Sequence, residues 1–583
     1  MKARLDDILA SCRYRSNRQP LNVFRWFLIT VLGLYLPTSK LAKRGWFLLF
    51  LAIAAFYIYG LGFLPLVGPD EPRYAEIGRE MFTRRDFVTP TLGGMPWFEK
   101  PPLLYWMMMA SYRVFGVSEF SARLGPALCG LATAGFVWWL ARSAGNSGTR
   151  DDKNSEFSQW SALVFLSSLG PIIFSRAASF DIVLTMTLTG ALASFFVWHI
   201  RDAVSSLRGG SLTLLLAFYF FMGLSLLAKG LVGPVIGFTI IGVYLTLRRE
   251  WSRAFLETLW WGALIIVAVA GIWYGPMIYR HGWLFFNQFI IQHHFARFFT
   301  NKYHHPQPFY FYVPILALLT LPWTVFLAGS ISSMQFRDLR SDSARSRLRQ
   351  FSIIVIVLVV LPFSLSGSKL PAYILPALPA AALLVADRLT VFRLERRGEI
   401  FTRLTGFLFV SGAVALAWYS SRVVWLPKSC AIAGAAAAAA VGLFALIFPR
   451  RRAASYILFA CCIVGITGLA IQCSKPFVAR ESVGDLVETA SARGYGKVPV
   501  VGLHTVERSA EFYAAGILAY GSDGEPVKFE GANDVIEFTR RAGGITLCFV
   551  PVEYESQLTG YLGLRTEVLG NNGRVSLVVV RVP

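Results

Sequence analysis

Two acids side by side, Asp70 and Glu71, open the segment G-P-D-E-P-R-Y-A-E at 68–76, and Arg73 and Tyr74 follow at once. Carboxylates beside a cation and a phenol, at the edge of a hydrophobic run, can orient or deprotonate a substrate group while the cation holds an anion. The same acids would also cap a helix beginning near Pro72. Further on, W-F-E-K-P-P at 97–102 joins Glu99 to Lys100, and its two prolines fix an extended backbone. Lys100 is a compact charge with three donors, suited to a phosphate; the plainer alternative is a surface ion pair with Glu99. Asp181, Lys229 and Lys369 each end a hydrophobic run, and Tyr373 lies four positions after Lys369. An acid at the mouth of a membrane bundle is a functional candidate by default. Helix capping for Asp181 and bonding to helix carbonyls for Lys229 are the structural alternatives. The stretch 279–308 holds five of the seven histidines, His281, His293, His294, His304 and His305, with Arg297 among them. Glu99 with His293 or His294 would give a divalent metal two protein ligands, fewer than a dedicated zinc site has, so substrate oxygens or water would complete the shell.

Membrane helices must position these residues. The chain has 583 residues, of which 55% are hydrophobic and 15% charged, with a mean hydropathy of +0.53. Soluble proteins carry about 25% charged residues. Apolar runs long enough to cross a hydrocarbon core recur from Gly45 to Ile471, about thirteen in all. The net charge of +22 lies in short clusters between these runs rather than in one stripe, which argues against nucleic acid and for membrane topology. Lys40, Lys43 and Arg44 precede a first span at about 46–66 and place the N-terminus inside. Counting onward, the clusters around Arg142, Arg201, Arg248, Arg345, Arg393 and Arg451 also fall inside. The candidate residues then all fall outside. Residues 1–44 read as a cytoplasmic segment with an interfacial helix at 21–35, since Arg25 interrupts that short apolar run. The external loops at 67–120 and 279–308 are long, and 101–115 reads as an interfacial helix.

After the last span, near 454–472, residues 474–583 change to mixed polar and apolar sequence. Strands are expected at 498–503, 546–551 and 575–582, and helices at 507–515 and 532–541, giving a small external α/β domain. The seven cysteines fit no metal or disulfide spacing and receive no role.

Taken in order, D-E-P-R-Y-A-E, F-E-K-P-P, R-A-A-S-F-D at 176–181, A-K-G at 228–230, H-H-F-A-R-F at 293–298 and K-L-P-A-Y-I-L-P at 369–376 resemble the GT-C glycosyltransferases of the aminoarabinose transferase family, related to protein mannosyltransferases. The resemblance covers essentially the whole chain. It implies an α-helical polytopic transferase of the bacterial inner membrane, with its active site facing the periplasm. The implied donor is undecaprenyl phosphate carrying 4-amino-4-deoxy-L-arabinose, and the acceptor is a lipid A phosphate. Membrane lipids would surround a monomer, and the sugar would transfer with inversion. By the same resemblance Asp70 matches the family's essential first-loop acid, Arg73 and Lys100 would hold the carrier phosphate, and Lys369 and Tyr373 would lie near it. Glu99 would ligate a metal, and His293 or His294 would be the matching histidine, both being kept with Glu99 as metal candidates. The further catalytic candidates are Asp181 and Glu71, and the further donor-binding candidates are Tyr74, Lys229 and Arg297. The rival readings are transfer of a hexose to a protein or glycan hydroxyl, and lipid transport. No paired Gly/Pro-broken spans in corresponding halves favour transport.

Overall fold

The computed structural model describes residues 40–145, 152–204, 212–289, 307–333, 341–392, 395–423 and 427–582. The expected interfacial helix at 21–35 lies outside them. Among the described residues nine helices are long and apolar enough to cross a membrane. The number is eleven if two bent pairs each count as one span, Ser155–Leu166 with Leu169–Ser175 and Phe309–Leu319 with Thr324–Ser332. About thirteen were expected; a shorter apolar helix, Val232–Arg248, and the first helix, Lys40–Ile58, stand outside this count. That first helix starts and stops earlier than the sequence suggested. Gly60 turns left-handed (φ 71) and the chain then leaves the helical path.

Local chemistry sets several helix starts. Ser118 accepts from the Ser121 N–H to begin Glu119–Ala144. Ser252 does the same with Phe255 before Arg253–Phe285, and Ser343 with Ser346 before Ala344–Leu365. Each side-chain oxygen satisfies one orphan N–H of a first turn. Lys229 ends its helix because Gly230 takes a left-handed turn (φ 71), which carries the chain into Val232–Arg248.

The two ends of the bundle differ in chemistry. At the end bearing the arginine clusters, Glu250 pairs with His199, Arg248 and Arg347. Asp387 there takes both Arg345 and Arg349, and Arg452 pairs with Glu399 at 3.2 Å. These pairs cross-link neighbouring helix ends. At the other end Cys430 and Cys473 form a disulfide, 43 residues apart, joining the start of Lys428–Ile447 to the end of Arg452–Cys473. This corrects the reading that no cysteine has a role. An antiparallel hairpin of two spans brings the distant positions together, and a linear spacing rule cannot see that. Disulfides persist in oxidising compartments, so the bond agrees with an external location for this end.

The first long loop is largely structured. Helix Glu71–Arg84 is followed by a small hairpin of β1 (Thr91–Leu92) and β2 (Met95–Pro96), then by helix Leu103–Phe115. That second helix buries Leu104, Tyr105, Met108, Met109 and Tyr112 against the bundle. After the last span, β3 (Val500–Leu503), β4 (Lys528–Phe529), β5 (Ile545–Pro551), β6 (Arg565–Asn571) and β7 (Val575–Arg581) build a sheet of order β4-β3-β5-β7-β6. β3 runs parallel to β4 and β5, and β7 antiparallel to β5 and β6. Alternate residues of β7 feed two cores, Val575, Leu577 and Val579 on one face and Val578 and Val580 on the other. Both faces are covered, so the strand reads as a continuous apolar run.

Candidate active site

Asp70 stands at the start of helix Glu71–Arg84, yet its side chain makes no capping bond. The Tyr74 hydroxyl, one turn on, donates to Asp70 Oδ1 at 3.3 Å. Burial, aided by the nearby Asp70 charge, pushes the Tyr74 phenol well above its ordinary pKa and keeps it a donor. The Tyr74 ring meets Phe180 edge-on at 4.9 Å, and Tyr105 packs against the same Phe180 at 5.3 Å.

Phe180 leads directly to Asp181, which forms an ion pair with Lys229. The Lys229 ammonium in turn lies 4.9 Å over the Tyr373 ring. Lys229 therefore serves Asp181 rather than helix carbonyls. Lys369 is buried and donates to the Ser366 carbonyl at 2.6 Å, just ahead of the turn that carries Tyr373. Direct contacts thus run from Asp70 through Tyr74 and Phe180 to Asp181, Lys229 and Tyr373, joining four of the five connections singled out in the sequence. The fifth holds His293, His294 and Arg297, which lie outside the described residues. His281 is described: its ring nitrogen bonds the Thr89 hydroxyl at 2.9 Å, stitching the first loop to helix Arg253–Phe285.

Glu71, expected to act beside Asp70, is held on both oxygens by its surroundings. Arg123 grips it with two bonds of 3.0 and 2.8 Å, and the Ala178 N–H donates to it at 2.7 Å. With both oxygens engaged, Glu71 holds position rather than substrate. Arg123 was not singled out in the sequence, and it is the hub of this region. Besides Glu71 it donates to the carbonyls of Leu61, Leu64 and Pro65 at 2.8, 2.7 and 2.9 Å. The segment leading into Asp70 and the segment leading into Asp181 are therefore tied to one guanidinium. The signal missed was an arginine one turn inside an otherwise apolar span, a placement that demands buried partners.

Arg73 lies 4.9 Å over the Trp97 ring and faces Glu511 of the C-terminal region, with Nε and Nη2 each 3.4 Å from a carboxylate oxygen. Glu99 is half-buried close enough to Arg73, Tyr74 and Tyr105 to act on their charges. Lys100 follows it on the same extended stretch. The Tyr105 hydroxyl and the Trp97 indole N–H are buried without a hydrogen-bond partner among the described residues. Among those residues no group of three His, Cys, Asp or Glu side chains is placed to hold a metal ion. Glu99 is the single described member of the expected metal set, so no step below is routed through a metal.

Glu76, on the inner face of the same helix, is buried beside Arg79. Burial raises its carboxyl to about 7, with Arg79 opposing the rise. The C-terminal region clamps the loop at further points. The Tyr513 hydroxyl accepts from the Leu66 N–H at 2.9 Å and donates to Glu119 at 2.8 Å. The Tyr520 ring sits on Gly93, where an added Cβ would come within 2.5 Å of it.

A helical membrane bundle with a structured first external loop, acids and cations gathered at one end, and a small sheet region over them defines a multi-pass protein of the GT-C fold. The chain belongs to the dolichyl-phosphate-mannose-protein mannosyltransferase family, which it matches over residues 42–340. It is 32% identical over 335 residues to the undecaprenyl phosphate-alpha-4-amino-4-deoxy-L-arabinose arabinosyl transferase of Erwinia tasmaniensis, covering 57% of each chain. A second enzyme of that name, from Sodalis glossinidius, is 31% identical over 57% of this chain and 58% of its own. The match thus spans a little under three-fifths of these relatives' length. The crystal structure of ArnT from Cupriavidus metallidurans bound to undecaprenyl phosphate shares the fold, with a TM-score of 0.75 and 23% identity over 92% of this chain and 98% of that one.

Proposed function

We propose that this chain transfers 4-amino-4-deoxy-L-arabinose from undecaprenyl phosphate to a phosphate of lipid A, at the periplasmic face of the bacterial inner membrane. The observation that carries the reading is the run Asp70–Tyr74–Phe180–Asp181–Lys229–Tyr373, which links two acids, a cation and two phenols from four connections. The names of the relatives supply the substrates, and the arginine clusters and disulfide at opposite ends supply the orientation.

Displacement at the anomeric carbon expels a polyprenyl phosphate, and the negative charge growing on it needs fixed cations. Arg73 and Lys100 answer that need, with Lys369 close to the Lys229–Tyr373 side. The acceptor phosphate is already anionic and needs little general-base help. Asp70 and Asp181 therefore orient the donor, with the sugar amine as a natural partner for a carboxylate. The acceptor phosphate forms its bond to C1 as the C1–O bond to the carrier breaks, so the configuration inverts. An added amine offsets lipid A charge, which would weaken attraction of cationic peptides such as polymyxin.

Purified protein in detergent, given the lipid-linked aminopentose and lipid A, should add an aminopentose mass to lipid A. A hexose increment, or a glycosylated protein, would replace this reading with the one favoured by the mannosyltransferase family match. Lipid movement without any mass change would indicate transport.

A further inference from the structure

Arg73 has its partner in a part of the chain far away in sequence. Glu511 lies 438 positions on, in the short helix Ala510–Tyr513, and is fully buried. It sits between two guanidiniums. Arg508 Nη1 binds Oε1 at 2.9 Å, while Arg73 presents its Nε and Nη2 edge at 3.4 Å to both oxygens. The Arg73 plane is held on a second side by Trp97, and the helix that carries Glu511 is seated by Tyr513 on Leu66 and Glu119. A guanidinium offers two forked edges. Glu511 takes the edge that includes Nε, which leaves Nη1 on the edge that Glu511 does not engage.

We propose that Glu511 is a positioning residue, by which the C-terminal region fixes the plane and direction of Arg73 for the carrier phosphate. This rests on the reading above that Arg73 binds that phosphate. An arginine so held loses little side-chain freedom on meeting its ligand, whereas a loose one must be ordered each time. It also gives the C-terminal region a part in donor binding through Arg73.

The test is a double-variant cycle on the full-length protein with the lipid-linked sugar as variable substrate. Glu511→Gln should lower kcat/KM for the donor about tenfold, chiefly through KM. Arg73→Ala should lower it further, and the double variant should lie within about twofold of Arg73→Ala alone, because Glu511 acts only through Arg73. Glu511→Asp keeps the charge but shortens its reach toward Arg73, so it should reproduce the KM effect. It carries the test if Glu511→Gln fails to fold. Independent losses that multiply in the double variant would overturn the proposal while leaving Arg73 as a phosphate ligand. Unchanged donor kinetics in Arg73→Ala would instead remove the reading of Arg73 itself, and the present inference with it.

Discussion

Arg123 makes five hydrogen bonds from one side chain: two to Glu71 and three to carbonyls of the segment before Asp70. Arg123→Ala should therefore act twice. It leaves the Glu71 carboxylate, only 16% exposed, without its counter-charge, and breaking such a pair costs about 3–5 kcal/mol. It also releases three carbonyls of the segment that leads into Asp70, and a displacement of about 1 Å at a reacting group can cost about a hundredfold in rate. Thermal unfolding in detergent and initial rates of sugar transfer would follow the two effects separately. The double variant Arg123→Met with Glu71→Leu replaces the ion pair by apolar volume, so it should regain most of the lost stability. It should regain none of the lost rate, because the carbonyls and the Ala178 N–H still lack an anchor. If Arg123→Ala kept kcat/KM within twofold, or if the apolar double variant restored transfer, the hub would have no part in placing the acids.

Asp70→Asn and Lys100→Ala should each abolish transfer in detergent, where no compartments exist, while the protein still elutes as a folded species on gel filtration. Glu76 has a folded-state pKa near 7, above its ordinary value. Its favourable contribution is thus complete below about pH 4.5 and is lost as pH rises through 7. Glu76→Gln should consequently be more stable than the parent at pH 8, by at most about 3 kcal/mol, and the gap should close in melts at pH 5. Reduction of Cys430–Cys473, or Cys430→Ser, frees a 43-residue loop and should lower the melting temperature, since the loop-closure entropy involved is up to about 4 kcal/mol. Gly93→Ala combines a left-handed backbone (φ 60) with a clash against Tyr520; limited proteolysis should find its C-terminal region more readily cleaved.

Much of the bundle could be read from the sequence because apolar length and arginine placement are local signals. Asp181, Lys229, Lys369 and Tyr373 were legible as candidates because they sit at span ends, and the structure joins Asp181, Lys229 and Tyr373 in one run of contacts. What stayed hidden were pairings across long separations. Glu71 looked like a second catalytic acid because nothing nearby in sequence reveals Arg123 and Ala178 as its partners. Cys430 and Cys473 looked unrelated until the hairpin closed. β6 was missed because its residues R-T-E-V-L-G-N mix charge and apolar types, and a register shift between Val568 and Gly570 breaks the alternation. The helix expected at 507–515 shrinks to Ala510–Tyr513, since Glu507, Arg508 and Ser509 spend their polar groups on neighbours instead.

The bond between the Tyr513 hydroxyl and the Leu66 N–H joins positions 447 apart, and this sets an order of events in biogenesis. Every span is made before the C-terminal region emerges, so Asp70 and Arg73 wait in an unfinished loop until the last segment is made. A ribosome that stops after the final span would release a chain that is fully inserted and correctly oriented, yet without its roof. Quality control that senses only insertion would pass such a chain. The cover over the candidate site is completed only when the C-terminal region folds onto the first loop.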